Sequence, residues 1–296
     1  LVELRKVIPP GCARVLAKLE FANPTGSMKD RMAKAAVEAA EAAGHLQAGG
    51  TVVEYTSGTT GVSLALVCGV KGYRLESVFS DAFSDEKRRM MESFGAHITD
   101  VASDQKKITE SLIKAMISAA AEISTRPAHW YCDQLNNADA SNGYRPLGEE
   151  IWTQTAGRVD AFIHAVGTAH ALHGATRSLW AHRTDIHIVA VEPEESAVLS
   201  GGPTGSHQIE GIGIGFIPPL WEPDLVNEIQ TVTTSDAKAM ARRLAREEGI
   251  FAGTSSGANV VAAIRIAQRL GPDATVATIV CDSGIRYLST DVYRRQ

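Results

Sequence analysis

The sequence contains no apolar run approaching the roughly 18 residues of a membrane span, and no signal peptide is visible. It predicts no membrane partner. The formal charge of −5 comes from interspersed acids and bases rather than from a block of one sign, so nucleic acid is not an expected partner either. Only four cysteines occur, at positions 12, 68, 132 and 281, without the paired spacing of a zinc site or a disulfide framework. Reduced, mostly buried thiols in a cytoplasmic protein are expected. The nine histidines show no ligand pattern. His170 and His173 alone have helical i, i+3 spacing, and they read as local loop chemistry rather than as metal ligands, so no metal is predicted.

What is present is an apolar share of 44% over 296 residues, enough to bury a full core. Strand-like apolar runs at 51–55, 75–79, 161–166, 186–191 and 276–281 alternate with alanine-rich helical stretches at 31–43, 108–123 and 237–248. Such alternation predicts an α/β protein with largely parallel sheets covered by helices. In open α/β sheets ligands bind beyond the carboxyl ends of strands, which draws attention to loops 56–61 and 167–174. The charged run Asp85, Glu86, Lys87, Arg88, Arg89 reads as the solvated face of a helix.

Lys29 follows a Pro-Thr-Gly-Ser turn and precedes an alanine-rich helical stretch. A lysine on a rigid element can lose its proton and attack a carbonyl, which is the requirement for a Schiff-base lysine. Taken alone it also reads as a solvated lysine of a first helical turn. The run Asn23-Pro24-Thr25-Gly26-Ser27-Met28-Lys29-Asp30-Arg31 closely resembles the lysine motif of the pyridoxal-phosphate enzymes of the cysteine synthase and cystathionine beta-synthase family. Four further segments resemble that family's motifs in order. They are Thr56-Ser57-Gly58-Thr59-Thr60-Gly61, Gly211-Ile212-Gly213-Ile214-Gly215-Phe216-Ile217-Pro218, the stretch 249–257 and the stretch 282–290.

The resemblance implies the tryptophan synthase beta-like fold, with two domains each built on a mainly parallel sheet covered by helices. Residues 1–22 with 134–296 would form the larger domain. Residues 23–133 would form a smaller, mobile one, with pyridoxal 5'-phosphate in the cleft between them. The implied activity is β-replacement on a serine-type amino acid through an aminoacrylate intermediate, in the manner of a cysteine synthase. The alternatives are condensation of serine with homocysteine, or a weakly catalytic homologue acting as a binding protein. The partners implied are an amino-acid substrate, a sulfur nucleophile and a second copy of the chain in a homodimer. Leu1-Val2-Glu3-Leu4 resembles the interior of the family's first segment, which implies further residues ahead of it.

By the same resemblance Lys29 is the catalytic and cofactor-holding lysine, and Ser283 bonds the pyridine nitrogen. Taken alone, Ser283-Gly284 is equally a turn signal. Gly167, Thr168, Ala169, His170 and Ala171 make the phosphate loop, and Thr59 contacts the cofactor ring. Thr56, Ser57, Gly58 and Thr60 hold the substrate carboxylate at the start of a helix beginning near Val62, with the Gln134 amide added to it. The same residues read alone as a helix N-cap, and capping and anion binding use the same orphan N–H groups. Two departures stand out. Thr59 replaces the family's asparagine, and the phosphate loop has lost two glycines and one threonine hydroxyl. If position 169 or 170 needs a positive φ, its side chain is strained.

Overall fold

The computed structural model describes residues 1–106 and 109–294. In chain order its strands and helices are β1 (Val2–Leu4), β2 (Arg14–Leu19), α1 (Lys29–Ala42), β3 (Thr51–Tyr55), α2 (Thr59–Lys71), β4 (Arg74–Phe79), α3 (Asp85–Ser93) and β5 (His97–Asp100). There follow α4 (Glu110–Ser124), β6 (His129–Tyr131), α5 (Asp139–Asn142), α6 (Arg145–Gln154), β7 (Ala161–Ala165), α7 (His170–His182) and β8 (His187–Pro193). The chain closes with β9 (Glu228–Val232), α8 (Thr234–Arg243), α9 (Thr254–Leu270) and β10 (Thr275–Val280).

The chain forms two compact units, Asn23–Gly143 and Leu1–Ala22 with Tyr144–Gln296. In the first, the sheet order is β5-β4-β3-β6, all parallel. In the second it is β1-β2-β10-β7-β8-β9, parallel except for the β1 edge strand. Residues 134–143, expected in the larger unit, pack with the smaller one. Helix α5 lies on α1, and Gln134 is bonded to β3.

Strands β3, β7 and β10 are buried at every position, as parallel strands covered on both faces must be. Ala33, Ala36, Val37 and Ala40 put the i, i+3, i+4, i+7 stripe of α1 into the core. In the larger unit Asn259, fully buried on α9, ties two strands together. Its Oδ1 accepts the Ala165 N–H at 2.7 Å and its Nδ2 donates to the Ile279 carbonyl at 2.8 Å.

Several helix limits differ from the sequence reading. Ile108, the expected start of a helix, lies outside the described residues, and the described helix is α4. The expected 237–248 helix starts earlier, at Thr234, where Thr233 accepts the Asp236 N–H at 3.0 Å as its cap. Beyond Arg243 it widens into a π-helical turn, Leu244–Glu248. That turn aims the Glu248 carboxylate at three successive backbone N–H groups, of Arg5, Lys6 and Val7, at 2.9, 2.6 and 2.9 Å. Three charge-assisted bonds therefore fasten the N-terminal segment to its own unit.

Candidate active site

In the smaller unit, the Asn23-to-Gly26 turn is closed by a 2.8 Å backbone bond, and Lys29 begins α1. Asp30 anchors this turn. Its carboxylate accepts the Thr25 N–H at 2.8 Å, the Thr25 hydroxyl at 2.6 Å and the Ser63 hydroxyl of α2 at 2.6 Å. Lys29 is half-buried, and its backbone N–H donates to Ser27 Oγ at 3.2 Å. The amine thus projects from a backbone held on both sides, which is the rigidity a carbonyl-attacking lysine needs.

The 56–61 loop joins β3 to α2, which begins at Thr59, three residues before the expected start. Thr56 is buried, and its Oγ1 accepts the N–H groups of Gly58 and Gly61 at 2.9 and 3.2 Å, so this hydroxyl shapes the loop. Gly58 has φ 125°, a conformation that a β-carbon disfavours. A Cβ there would also lie 2.4 Å from Lys87 Cδ. Lys87, read in the sequence as solvated, is 2% exposed, with its stem against the loop. The signal for this was the stripe formed with Met91, which is buried four residues on.

The first intrahelical bond of α2 runs from the Val62 N–H to the Gly58 carbonyl at 2.9 Å. The N–H groups of Thr59 and Thr60 precede it at the positive end of the helix, next to the exposed Ser57 hydroxyl. Thr60 donates to Gln134 Oε1 at 2.8 Å. The Gln134 Nε2 donates in turn to the Tyr55 carbonyl at 3.1 Å and to Glu54 Oε1 at 3.4 Å. Its amide N–H groups therefore face β3, and the carbonyl faces the loop.

In the larger unit, α7 starts at His170, immediately beyond a short 167–169 turn. His170 and His173, expected in a loop, instead form the first turn of this helix. The helix can start this early because Ala169 takes φ 69°, the left-handed conformation in which a side chain is strained. The family glycine at this position had a physical reason. Gly167 lies against the Gly211 carbonyl, where a Cβ would come within 2.4 Å. The Gly213 N–H donates to the Val166 carbonyl at 3.1 Å, so the glycine-rich 211–215 stretch supports the turn.

Thr168 Oγ1 and His170 Nδ1 are 3.1 Å apart, and both residues are buried. The first intrahelical bond of α7 is from the His173 N–H to the Ala169 carbonyl at 3.0 Å. The N–H groups of His170, Ala171 and Leu172 come before it, at a buried helix start. A buried helix N-terminus of this kind is what an anion satisfies.

Ser283 follows β10 and is half-buried. Its Oγ accepts the Ile285 N–H at 3.3 Å, which leaves the hydroxyl proton to donate elsewhere. The turn and binding roles of this serine are therefore compatible. Beside it, Asp282 accepts from the buried Tyr287 hydroxyl at 2.7 Å, and burial first, then the Asp282 charge, pushes that phenol well above its usual pKa.

Within the smaller unit, an amine on a fixed helix start suits a carbonyl; within the larger unit, a buried helix N-terminus with a threonine and a histidine suits a phosphate. Among the described residues no group of three or more His, Cys, Asp or Glu could hold a metal ion. No described helix is long and apolar enough to cross a membrane.

Residues 1–282 match the family model of pyridoxal-phosphate dependent enzymes. A cysteine synthase of Staphylococcus aureus is 40% identical over 295 residues, which cover 99% of this chain and 93% of that protein. The crystal structure of cysteine synthase from Entamoeba histolytica superposes with a TM-score of 0.91 at 37% identity, covering 100% of this chain and 88% of that one. The O-acetylserine dependent cystathionine beta-synthase of Helicobacter pylori gives 0.92 at 32% identity, over 99% of this chain and 95% of its own. Sequence and fold agree, and the chain belongs to the pyridoxal-phosphate dependent enzymes, as a β-replacement enzyme of the cysteine synthase type.

Proposed function

We propose that the protein exchanges the β-substituent of an O-activated serine for sulfide or another sulfur nucleophile. Support for this substrate choice comes from the full-length identity to a cysteine synthase. The observation that carries the chemistry is Lys29, set at the head of α1 by the Asp30 network.

Pyridoxal phosphate, when bound, stores the electron pair left by loss of the substrate α-proton. Lys29 holds the cofactor through its amine, then takes the α-proton and returns it to the product. Gly167, Thr168, Ala169, His170 and Ala171 bind the phosphate through first-turn N–H groups and the threonine and histidine side chains. Ser283 would donate a neutral hydrogen bond to the pyridine nitrogen, and Thr59 would serve the ring oxygen. A neutral partner at the nitrogen, unlike a carboxylate, does not favour ring protonation, which suits loss of a β-substituent. Thr56, Ser57, Gly58 and Thr60, with Gln134 behind Thr60, hold the α-carboxylate at the positive end of α2.

In domain terms, the smaller unit supplies the lysine and the carboxylate loop, and the larger supplies the phosphate and pyridine-nitrogen contacts. The working form is a homodimer in the cytoplasm. The four cysteines, three of them buried, suit a reducing compartment. Light scattering that finds a monomer would remove the dimer from this reading.

The experiment is a substrate panel. Serine, O-acetylserine and O-phosphoserine are each offered with sulfide, thiosulfate or homocysteine, and product is measured. Turnover of an O-activated serine with sulfide supports the reading. Turnover confined to homocysteine reassigns the chain to cystathionine formation, and none with any pair overturns β-replacement on serine.

A further inference from the structure

Glu54 is an unusual residue for the centre of a parallel sheet. It sits on β3 between Val53 and Tyr55 with no exposed surface. Burial drives its carboxyl well above the ordinary range, against the lowering effect of bonds from Gln134 and Cys132, while Asp133 nearby pushes it further up. A valine would serve the sheet at no desolvation cost.

What the carboxyl does is receive Gln134. Its Oε2 accepts the Gln134 backbone N–H at 3.1 Å, and its Oε1 accepts the side-chain Nε2 at 3.4 Å. A second costly feature serves the same contact. Asp133 is held at φ 47°, a left-handed conformation rare outside glycine, and this reverses the chain after the last β6 ladder bond, from the Cys132 N–H to the Val53 carbonyl at 2.9 Å. The reversal turns Gln134 back onto β3. Asn136 steadies it by donating to both Asp133 carboxylate oxygens at 3.0 and 2.8 Å.

With Nε2 donating to the Tyr55 carbonyl, which accepts whatever the protonation of Glu54, the amide cannot be turned over without setting its oxygen against that carbonyl. Its Oε1 is thereby fixed toward the Thr60 hydroxyl. We infer that Glu54 is a positioning residue for the substrate-carboxylate subsite, acting only through Gln134 to fix the Thr60 hydroxyl in the loop. This rests on the assignment of Thr60 and Gln134 to that subsite.

A double-mutant cycle tests it, using Glu54→Gln, Gln134→Ala and the pair in the holoenzyme. L-alanine, which has no β-leaving group, is titrated against the visible absorbance of the protein. A glutamine at 54 sets an NH2 group against the Gln134 NH2 group, or withdraws the acceptor of the backbone N–H. Glu54→Gln is expected to weaken L-alanine binding about tenfold in the wild-type background and less than about twofold beside Gln134→Ala. Affinity of the apoprotein for pyridoxal phosphate stays within about twofold in every variant, because Glu54 does not serve the cofactor.

Fold-changes that multiply across the cycle would overturn the inference, as would unchanged L-alanine affinity in Glu54→Gln. Glu54→Asp withdraws the carboxyl by one methylene and carries the same expectation, so it serves if the glutamine variant fails to fold. Wild-type protein that neither takes up the cofactor nor turns over substrate would defeat the functional assignment itself. A coloured, active wild type with a multiplicative cycle defeats only the role of Glu54.

Discussion

Thr168 and His170 bracket a strained alanine: Oγ1 of the first lies 3.1 Å from Nδ1 of the second, and Ala169 between them has φ 69°. The bond closes the turn that delivers the α7 helix start, so the histidine that replaces a family glycine is built into the turn. Simple reversion to glycine would remove a buried side chain together with its bond.

His170→Ala is therefore expected to lower the affinity of the apoprotein for pyridoxal phosphate by about 1–2 kcal/mol, the value of one buried hydrogen bond and its orphaned partner. Titration of the apoprotein measures it. Unchanged affinity would show that Thr168 and His170 do not serve the phosphate.

Gly58→Ala should disable the carboxylate loop. The backbone stands at φ 125°, and the new Cβ would fall within 2.4 Å of Lys87 Cδ on a buried side chain. Strain and overpacking together cost about 2–4 kcal/mol. Urea denaturation reads the loss, and amino-acid binding should fall with it. A variant as stable as the parent would mean that the loop has another conformation.

Stability should fall between mildly acidic and acid pH because of His173. Burial lowers this imidazole from 6.5 to about 4, with Arg177 acting in the same direction and Glu222 opposing. The unfolded chain then binds more protons than the folded one in that window. The contribution is present above about pH 6.5 and is lost as pH falls toward about 4, on the order of 3 kcal/mol. His173→Gln keeps an acceptor for the Glu222 N–H, 3.4 Å away in the parent, and removes the titration. Its stability should vary less with pH over this range, and an unchanged slope would assign the effect to other groups.

Ser283→Asp should separate catalysis from folding. A carboxylate can accept the Ile285 N–H as the hydroxyl does, so stability should change by no more than about 0.5 kcal/mol. Ring protonation would then be favoured, and turnover should drop at least about tenfold. Unaltered turnover would place Ser283 away from the ring nitrogen.

Much of the architecture was legible because periodicity marks buried parallel strands directly, as in Thr51–Tyr55, where the sequence reading and the strand coincide. Lys29 and Ser283 stood out in the sequence because each lies in a motif, and the structure puts the first at a helix start and the second just beyond a strand end. Lys87 was misread because a charge run conceals one buried member, and only its spacing to Met91 gives it away. His170 and His173 were misread because an alanine at positive φ lets a helix start where a glycine loop was expected. Glu54 was invisible, since no local pattern tells that a carboxyl on a buried strand receives an amide 80 residues later.

Lys29 is the residue proposed to hold the cofactor. Reduction of the purified holoprotein with borohydride, followed by peptide mapping, locates the lysine joined to the pyridoxyl group. The modified residue should be Lys29, and Lys29→Ala should have neither the visible absorbance of the parent nor any β-replacement. A pyridoxyl group on another lysine, or a coloured and active Lys29→Ala, would contradict it.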